Sequence, residues 1–157
     1  MNGTNVTTPP LGLTAGWYQA GPADWAEVLV DFPLFSGIAK RRLRGLVRHA
    51  TFAEYGPGDV VIQKNEPGDS LYVILGGSAK VRGKPAARRL RTGDYFGELG
   101  LLHGAPRSAT VVATGQLHLM KLPRDAFLRT ARHEPGIALE LLGTLGAQIR
   151  RLEAQAA

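Results

Sequence analysis

Residues 96–111 read FGELGLLHGAPRSATV. One carboxylate, Glu98, stands among glycines and leucines, and Arg107 follows nine positions later, with only His103 as another ionisable side chain between them. Gly97 and Gly100 let the backbone turn tightly and let another group approach where a Cβ would stand. Glu98 through Leu102 is long enough for about one helical turn before His103-Gly104-Ala105-Pro106 breaks it. Such a turn has unpaired N–H groups at its start, a donor set suited to an anion. Arg107, just after Pro106 and just before a β-rich stretch, projects from a strand end into the same space, and its planar guanidinium can fork onto two phosphate oxygens. Glu98 has the complementary capacity to accept from a hydroxyl. Donors and a cation for phosphate, with a carboxylate for a sugar hydroxyl, describe a ribose phosphate ligand. Taken singly, Arg107 also fits a surface arginine paired with an acid, and Glu98 a helix-capping carboxylate.

The stretches around this segment predict its scaffold. From about Thr51, YGPGDVVIQ, EPGDSLYVILGG, SAKVRG, RTGDYFGE, SATVVAT and GQLHLMKLP follow at close intervals, punctuated by Gly-Asp, Pro-Gly and Gly-Gly. No crossover helix fits between them, so the strands pair mostly antiparallel and close as a barrel or two-sheet sandwich. Helices flank them. Residues 1–22, rich in Gly, Thr and Pro, predict a flexible tail, and 23–157 a single domain with its β-roll at about 51–122. Asp24 is the expected cap of a short helix carrying Trp25, Val28 and Leu29. Ser36 is the expected cap of a second, with Ala39, Leu43, Leu46 and Val47 on one face and Lys40, Arg41, Arg44 and Arg48 mainly on the other. That run of cations reads as a nucleic-acid patch or, more ordinarily, as a solvated helix face. C-terminal helices are expected over about 123–155. One carries Phe127, Leu128 and Ala131, and the next opens at Pro135 and repeats Ala138, Leu142, Leu145, Ile149 and Leu152 at four-three spacing.

Composition excludes several function classes. The chain has 157 residues, 44% hydrophobic and 20% charged, enough for one domain with a real core. It has no cysteine, so disulfides, thiolate nucleophiles and cysteine-based zinc sites are ruled out. No apolar run reaches the roughly 20 residues that cross a bilayer, and the N-terminus lacks a signal-peptide pattern, so a cytoplasmic protein without a membrane anchor is expected. The net charge of +6, from 19 Lys and Arg against 13 Asp and Glu, favours anionic partners without choosing among them.

Residues 96–111 resemble the phosphate-binding cassette of the cyclic nucleotide-binding domain, a sensor module of catabolite-activator-type regulators, regulatory subunits of cyclic-nucleotide-dependent kinases and cyclic-nucleotide-gated channels. The resemblance extends from about Asp31 to Glu153. PLFSGIAKRRLRGL is similar to the opening helix, YGPGDVVIQKNEPGDSLYVILGGSAKV to the first strands, TGDYFGE to the cassette entry, and LPRDAFLRTARHEPGIALELLGTLGAQIRRLE to the closing B and C helices. It implies an α+β fold, an antiparallel β-roll or jelly-roll barrel. By the same resemblance Glu98 accepts from the ribose 2′-hydroxyl, Arg107 binds the phosphate, and Gly97 and Leu99 supply backbone nearby. Ser108 sits where a Thr in many members favours cyclic GMP, and a Ser resembles the bacterial cyclic AMP regulators. Cyclic AMP is therefore the expected ligand and cyclic GMP the second choice. Arg150 and Leu152 are candidates to cover the base. The segment RGKPAARRL is short where many members carry a longer hairpin.

The resemblance implies a sensor and not an enzyme, with no catalytic residue, cofactor or metal. Only six residues follow Arg151, which leaves no room for a recognition helix. The expectation is a stand-alone module that signals to an effector protein in trans through its C-terminal helices. No specific DNA binding is expected. A homodimer along the four-three seam is expected, although the same stripe also fits intradomain packing. Two alternatives remain. One is a cupin-like metalloenzyme on a similar roll, weakened because His49, His103, His118 and His133 are dispersed; the other is a structural or interaction domain of this fold that binds no nucleotide.

Overall fold

The computed structural model describes residues 20–82, 88–103 and 105–156. The expected tail thus falls outside the described residues as far as residue 19, as do the tip of the RGKPAARRL segment at 83–87 and Gly104.

Helix α1 (Pro22–Leu29) starts two residues before Asp24. Pro22 takes the first helical position, where its missing N–H costs nothing, and the Asp24 carboxylate accepts instead from the N–H of the capping Gly21 at 2.9 Å. Ser36 does not cap the next helix either. It closes a 3₁₀ turn (Pro33–Phe35), and α2 (Lys40–Val47) begins only after Ala39. Leu43, Leu46 and Val47 are buried as their spacing predicts, while Lys40, Arg41 and Arg48 stay exposed.

Among the described residues eight strands follow: β1 (Thr51–Tyr55), β2 (Val60–Ile62), β3 (Ser70–Gly76), β4 (Ser78–Arg82), β5 (Arg88–Arg91), β6 (Tyr95–Phe96), β7 (Thr110–Ala113) and β8 (Leu117–Pro123). They form two four-stranded sheets, β1-β8-β3-β6 and β2-β7-β4-β5, with every pairing antiparallel. Helix α3 (Glu98–His103) lies between β6 and β7, and α4 (Arg124–His133) and α5 (Pro135–Ala156) close the chain. The fold is the expected α+β roll with helices before and after it.

Alternation along β3 shows why its sequence is a continuous apolar run. Leu71, Val73 and Leu75 enter one core with Trp25, Leu29, Phe35, Leu43 and Phe127 of the helical layer. Tyr72 and Ile74 point the other way, into a second core with Ile62, Leu90, Val111 and Leu119 between the sheets. A strand covered on both faces has no use for polar alternation. Leu71, Ile74 and Leu75 are fully buried, each stabilising by about 1.5–3 kcal/mol, so truncations in β3 cost more than those at the roll's edges.

One polar cluster interrupts the buried strands. Glu54 of β1 stands directly opposite His118 of β8, both buried, with His118 Nε2 3.5 Å from Glu54 Oε1 and the Gln116 amide donating to the same oxygen. Burial pushes the His118 imidazole below its ordinary value, against the opposing pull of the Glu54 carboxylate. An imidazole lowered in the folded state takes its proton first in the unfolded chain, so stability is lost as pH falls through about 6.5. Urea denaturation from about pH 7.5 to about pH 5 is expected to show that decline, and His118→Gln to flatten it. An unchanged slope in the variant would assign the decline to other groups.

Candidate functional site

The cassette is anchored at both ends. On the Arg107 side, the backbone N–H of Arg107 donates to Glu66 O at 2.8 Å, and the N–H of Asn65 donates to Arg107 O at 2.8 Å. These reciprocal bonds clamp Arg107 to the turn before β3. At the start of the cassette, β6 pairs with β3 and brings Phe96 opposite Tyr72, their rings stacked at 5.1 Å and nearly parallel. Gly97 follows at φ +90°, a conformation that opposes any Cβ, and turns the chain into α3. Leu101, fully buried, pins α3 to the helical core.

This framework places the Arg107 side chain in the interior, 5% exposed. Its guanidinium donates through Nη1 to Gly97 O at 3.2 Å and through Nη2 to Ser70 O at 3.0 Å. It lies 5.6 Å from the centre of the Tyr72 ring, within cation–π range. A Cβ on Gly68 would stand 2.3 Å from Arg107 Nε, and one on Gly97 2.6 Å from Nη1. Only glycines admit this placement. Among the described residues, Arg107 has no carboxylate within ion-pair distance, so its charge is met by two carbonyl dipoles and the face of Tyr72. Taking a charge out of water is costly unless it is paired. A cation held this way is therefore disposed to receive an anion.

Glu98, 4% exposed, is the first residue of α3. Its Oε1 accepts from Gln148 Nε2 of α5 at 3.1 Å. One helical turn earlier on α5, Thr144 shares a 2.6 Å hydrogen bond with the Tyr95 hydroxyl. Burial raises the Tyr95 hydroxyl to about 12, with the Thr144 bond opposing the rise. That phenol is neutral across the physiological range. Helix α5 is thus fastened to β6 through Thr144 and to the cassette through Gln148, while its buried Ile137 and Leu141 pack in the helical core.

The sequence-predicted residues divide accordingly. Gly97, Glu98, Leu99 and Arg107 come together on the cassette, with Ser108 exposed beside Arg107. Arg150 and Leu152 do not join them. Both are exposed near the end of α5, and neither makes a hydrogen bond or ion pair among the described residues; the helix meets the cassette one to two turns earlier. Sequence reading missed Thr144 and Gln148, although their spacing of four on a single helix face was a readable signal. It also missed Arg88, which shares the inward face of β5 with buried Leu90 and lies close enough to act on the Tyr95 hydroxyl. Arg88 makes no hydrogen bond or ion pair among the described residues.

Comparison with known proteins accounts for this assembly. A family model of the cyclic nucleotide-binding domain matches residues 52–134. The chain is 34% identical over 132 residues to a cAMP-dependent protein kinase regulatory subunit of Mycosarcoma maydis, covering 81% of this chain and 24% of that protein. It is 28% identical over 131 residues to a CRP-like cAMP-activated global transcriptional regulator of Mycobacterium tuberculosis, covering 80% of this chain and 58% of the regulator. The chain thus spans about a quarter of the fungal relative and little more than half of the bacterial one. Among solved structures it is similar to the Thermus thermophilus catabolite activator protein, with a TM-score of 0.67 and 26% identity over 79% of this chain and 61% of that one. With the match running from β1 through the whole of α4, and the glycine-framed Glu98–Arg107 cassette inside it, the chain belongs to the cyclic nucleotide-binding domain family.

Proposed function

We propose that this chain senses a cyclic nucleotide, cyclic AMP in preference to cyclic GMP, and hands the signal through α5 to an effector protein in the cytoplasm. The observation that carries the reading is the buried Arg107, held by the carbonyls of Gly97 and Ser70 without a carboxylate partner among the described residues, beside the buried acceptor Glu98. The ligand's cyclic phosphate meets the Arg107 guanidinium, its ribose 2′-hydroxyl donates to Glu98, and Gly97, Leu99 and Ser108 line the approach. The preference for cyclic AMP is supported by Ser108 and by the names of the two relatives. The activity is binding, with no catalytic step, resident metal or sequence-specific DNA recognition.

Glu98 gives the signal its route. Its Oε1 already accepts from Gln148, so a ribose hydroxyl arriving at Glu98 alters the contact that seats α5 on the cassette. A ligand signals only through different affinities for two arrangements of the protein, and the seating of α5 supplies the two.

The outer face of α5 supports association with a second copy of this chain. Leu142, Ile149 and Leu152 are 64%, 56% and 61% exposed and Leu145 is partly exposed, so most of the four-three seam is left uncovered by the domain itself. An apolar stripe at that spacing is complementary to its own copy. Ala138, at the start of the seam, is exposed as well.

Calorimetry tests the ligand. Arg107→Ala is expected to weaken cyclic AMP by about 2–5 kcal/mol, at least roughly thirtyfold, because it removes the buried cation from a charged pair. Unchanged affinity would refute the assignment. Glu98→Gln is expected to cost about 1.5–3 kcal/mol against cyclic AMP and much less against its 2′-deoxy analogue; equal losses would make Glu98 structural. For the second copy, light scattering is expected to find a dimer that Leu145→Glu and Ile149→Glu convert to monomers still able to bind nucleotide. A monomer at high concentration, with and without ligand, would leave the outer face of α5 to another partner.

A further inference from the structure

We propose that the outer face of the sheet β2-β7-β4-β5 binds the phosphate backbone of a double-helical nucleic acid without reading its sequence. Along β4, Ala79 and Val81 point into the core between the sheets, and Leu90 of β5 does the same. Alternation therefore turns Lys80, Arg82, Arg89 and Arg91 to the opposite face, and all four are exposed. Lys80 stands directly opposite Arg89, and Arg91 opposite Ser78. Outward residues are about 6.8 Å apart along a strand and about 5 Å apart across the pair. Neighbouring charges on the patch thus lie within about one Debye length of each other at physiological salt.

No acid offsets these charges. None of the four side chains makes a hydrogen bond or ion pair among the described residues. The acid closest in sequence to Arg91 is Asp94, whose carboxylate accepts from the backbone N–H of Arg91 at 2.8 Å and does not pair with its guanidinium. At the other edge of the sheet, the Asp59 carboxylate accepts from the N–H of Gly56.

The register is the second, independent observation. Like charges directly opposite across two strands are destabilising, so Lys80 against Arg89 weakens the sheet. Charges on an edge strand have an ordinary use, which is to deter pairing with a strand of another chain. That use covers Arg89 and Arg91, because β5 is an edge, but β4 lies between β7 and β5. Lys80 and Arg82 have no such explanation. An anion laid across both strands relieves the repulsion.

The composition of the face selects the anion. Besides the four cations it carries Ser78, Thr110 and the buried Val112, with Val60 exposed on β2 at the opposite edge. A protein partner calls for an apolar or aromatic centre to the interface, which the cationic half of the face lacks. Four cations without an apolar anchor hold an anionic membrane only marginally. A single nucleic-acid strand is gripped by stacking its bases on aromatic rings, and no aromatic residue among the described ones lies on this face. A duplex needs charge alone: it carries one phosphate charge per about 1.7 Å of its axis, and binding is driven by release of its counterions. Three of the four cations are guanidinium groups, which fork onto phosphate oxygens. The assignment is independent of the nucleotide reading, since none of the four residues belongs to the cassette.

Fluorescence anisotropy with the whole chain and two labelled DNA duplexes of unrelated sequence, each of about 20 base pairs, tests it. Both duplexes are expected to bind alike, with log K falling against log salt at a slope of up to about −3.6, about −0.9 for each cation. Lys80→Gln with Arg82→Gln is expected to weaken binding about tenfold or more and to bring the slope toward about −1.8. The thermal midpoint of that variant is expected to equal or exceed that of the unmodified protein, because a like-charge pair is gone. Arg89→Gln with Arg91→Gln is expected to give the same result from the second strand, so the test survives if one variant does not fold. Arg41→Gln with Arg48→Gln, which removes exposed cations from the region of α2, is expected to change neither affinity nor slope. The proposal fails if neither duplex binds at about 20 mM salt, if the folded sheet variants bind as the unmodified chain does, or if the α2 variant shows the larger loss. It fails equally if phosphatidylserine vesicles, polyglutamate or oligothymidylate bind more tightly than the duplexes.

Discussion

The seating of Arg107 against the carbonyls of Gly97 and Ser70 is the constraint around which the rest of the molecule is arranged. An arginine reaches the interior of a β-roll only if the backbone gives way, and here it does so at two glycines where any side chain would collide with the guanidinium. It also needs its own backbone fixed, which the reciprocal hydrogen bonds with Asn65 and Glu66 achieve. The carbonyls themselves are aimed by the pairing of β3 with β6 and by the left-handed turn at Gly97. Sheet register, turn chemistry and close approach thus serve one buried charge. Hydrogen bonds from a charged group are stronger than neutral ones, which helps offset its desolvation.

Helix α5 follows from that arrangement as an element with two faces. Ile137, Leu141, Thr144 and Gln148 look to the domain, while Leu139, Leu142, Ile149 and Leu152 look to solvent. Thr144 and Gln148 are polar because the surface they meet, the Tyr95 hydroxyl and the Glu98 carboxylate, is polar. Two hydrogen bonds and a short apolar contact at its first turns hold the helix more lightly than a continuous apolar face would. Such modest fastening suits an element that changes position at little cost.

Much of this was legible in the sequence, for identifiable reasons. The strands stood out because close turn signals forbade crossover helices, and the cassette because two unlike charges in an apolar glycine-rich frame have few structural uses. The four-three seam on α5 was legible from its spacing and is mostly exposed, whereas the side that meets the domain, Ile137, Leu141, Thr144 and Gln148, was not read. The helix starts were misplaced because Asp24 and Ser36 are good caps in isolation. Pro22 at a first helical position outweighed one, and a 3₁₀ turn absorbed the other. Arg150 and Leu152 were proposed by analogy of position, whereas the contact depends on where α5 crosses the cassette. Contacts made across 50 residues of chain, such as Gln148 with Glu98, leave no local signature at either end.

Helix α4 is tied down at its very start: the N–H of Arg124 donates to Asp69 O at 2.8 Å, and its Nε to Leu101 O at 2.7 Å. The first bond holds it to the strand layer and the second to the cassette helix, so the N-terminal end of α4 is a pivot and the rest of it a lever arm. Its 10 residues span about 15 Å, and a tilt of about 10° about the pivot carries the far end through about 2.6 Å. Pro135, where α5 begins, sits at that far end. Any such tilt would have to carry the Arg42–Glu134 ion pair with it, and it would be largest at the base of α5, the longest helix among the described residues.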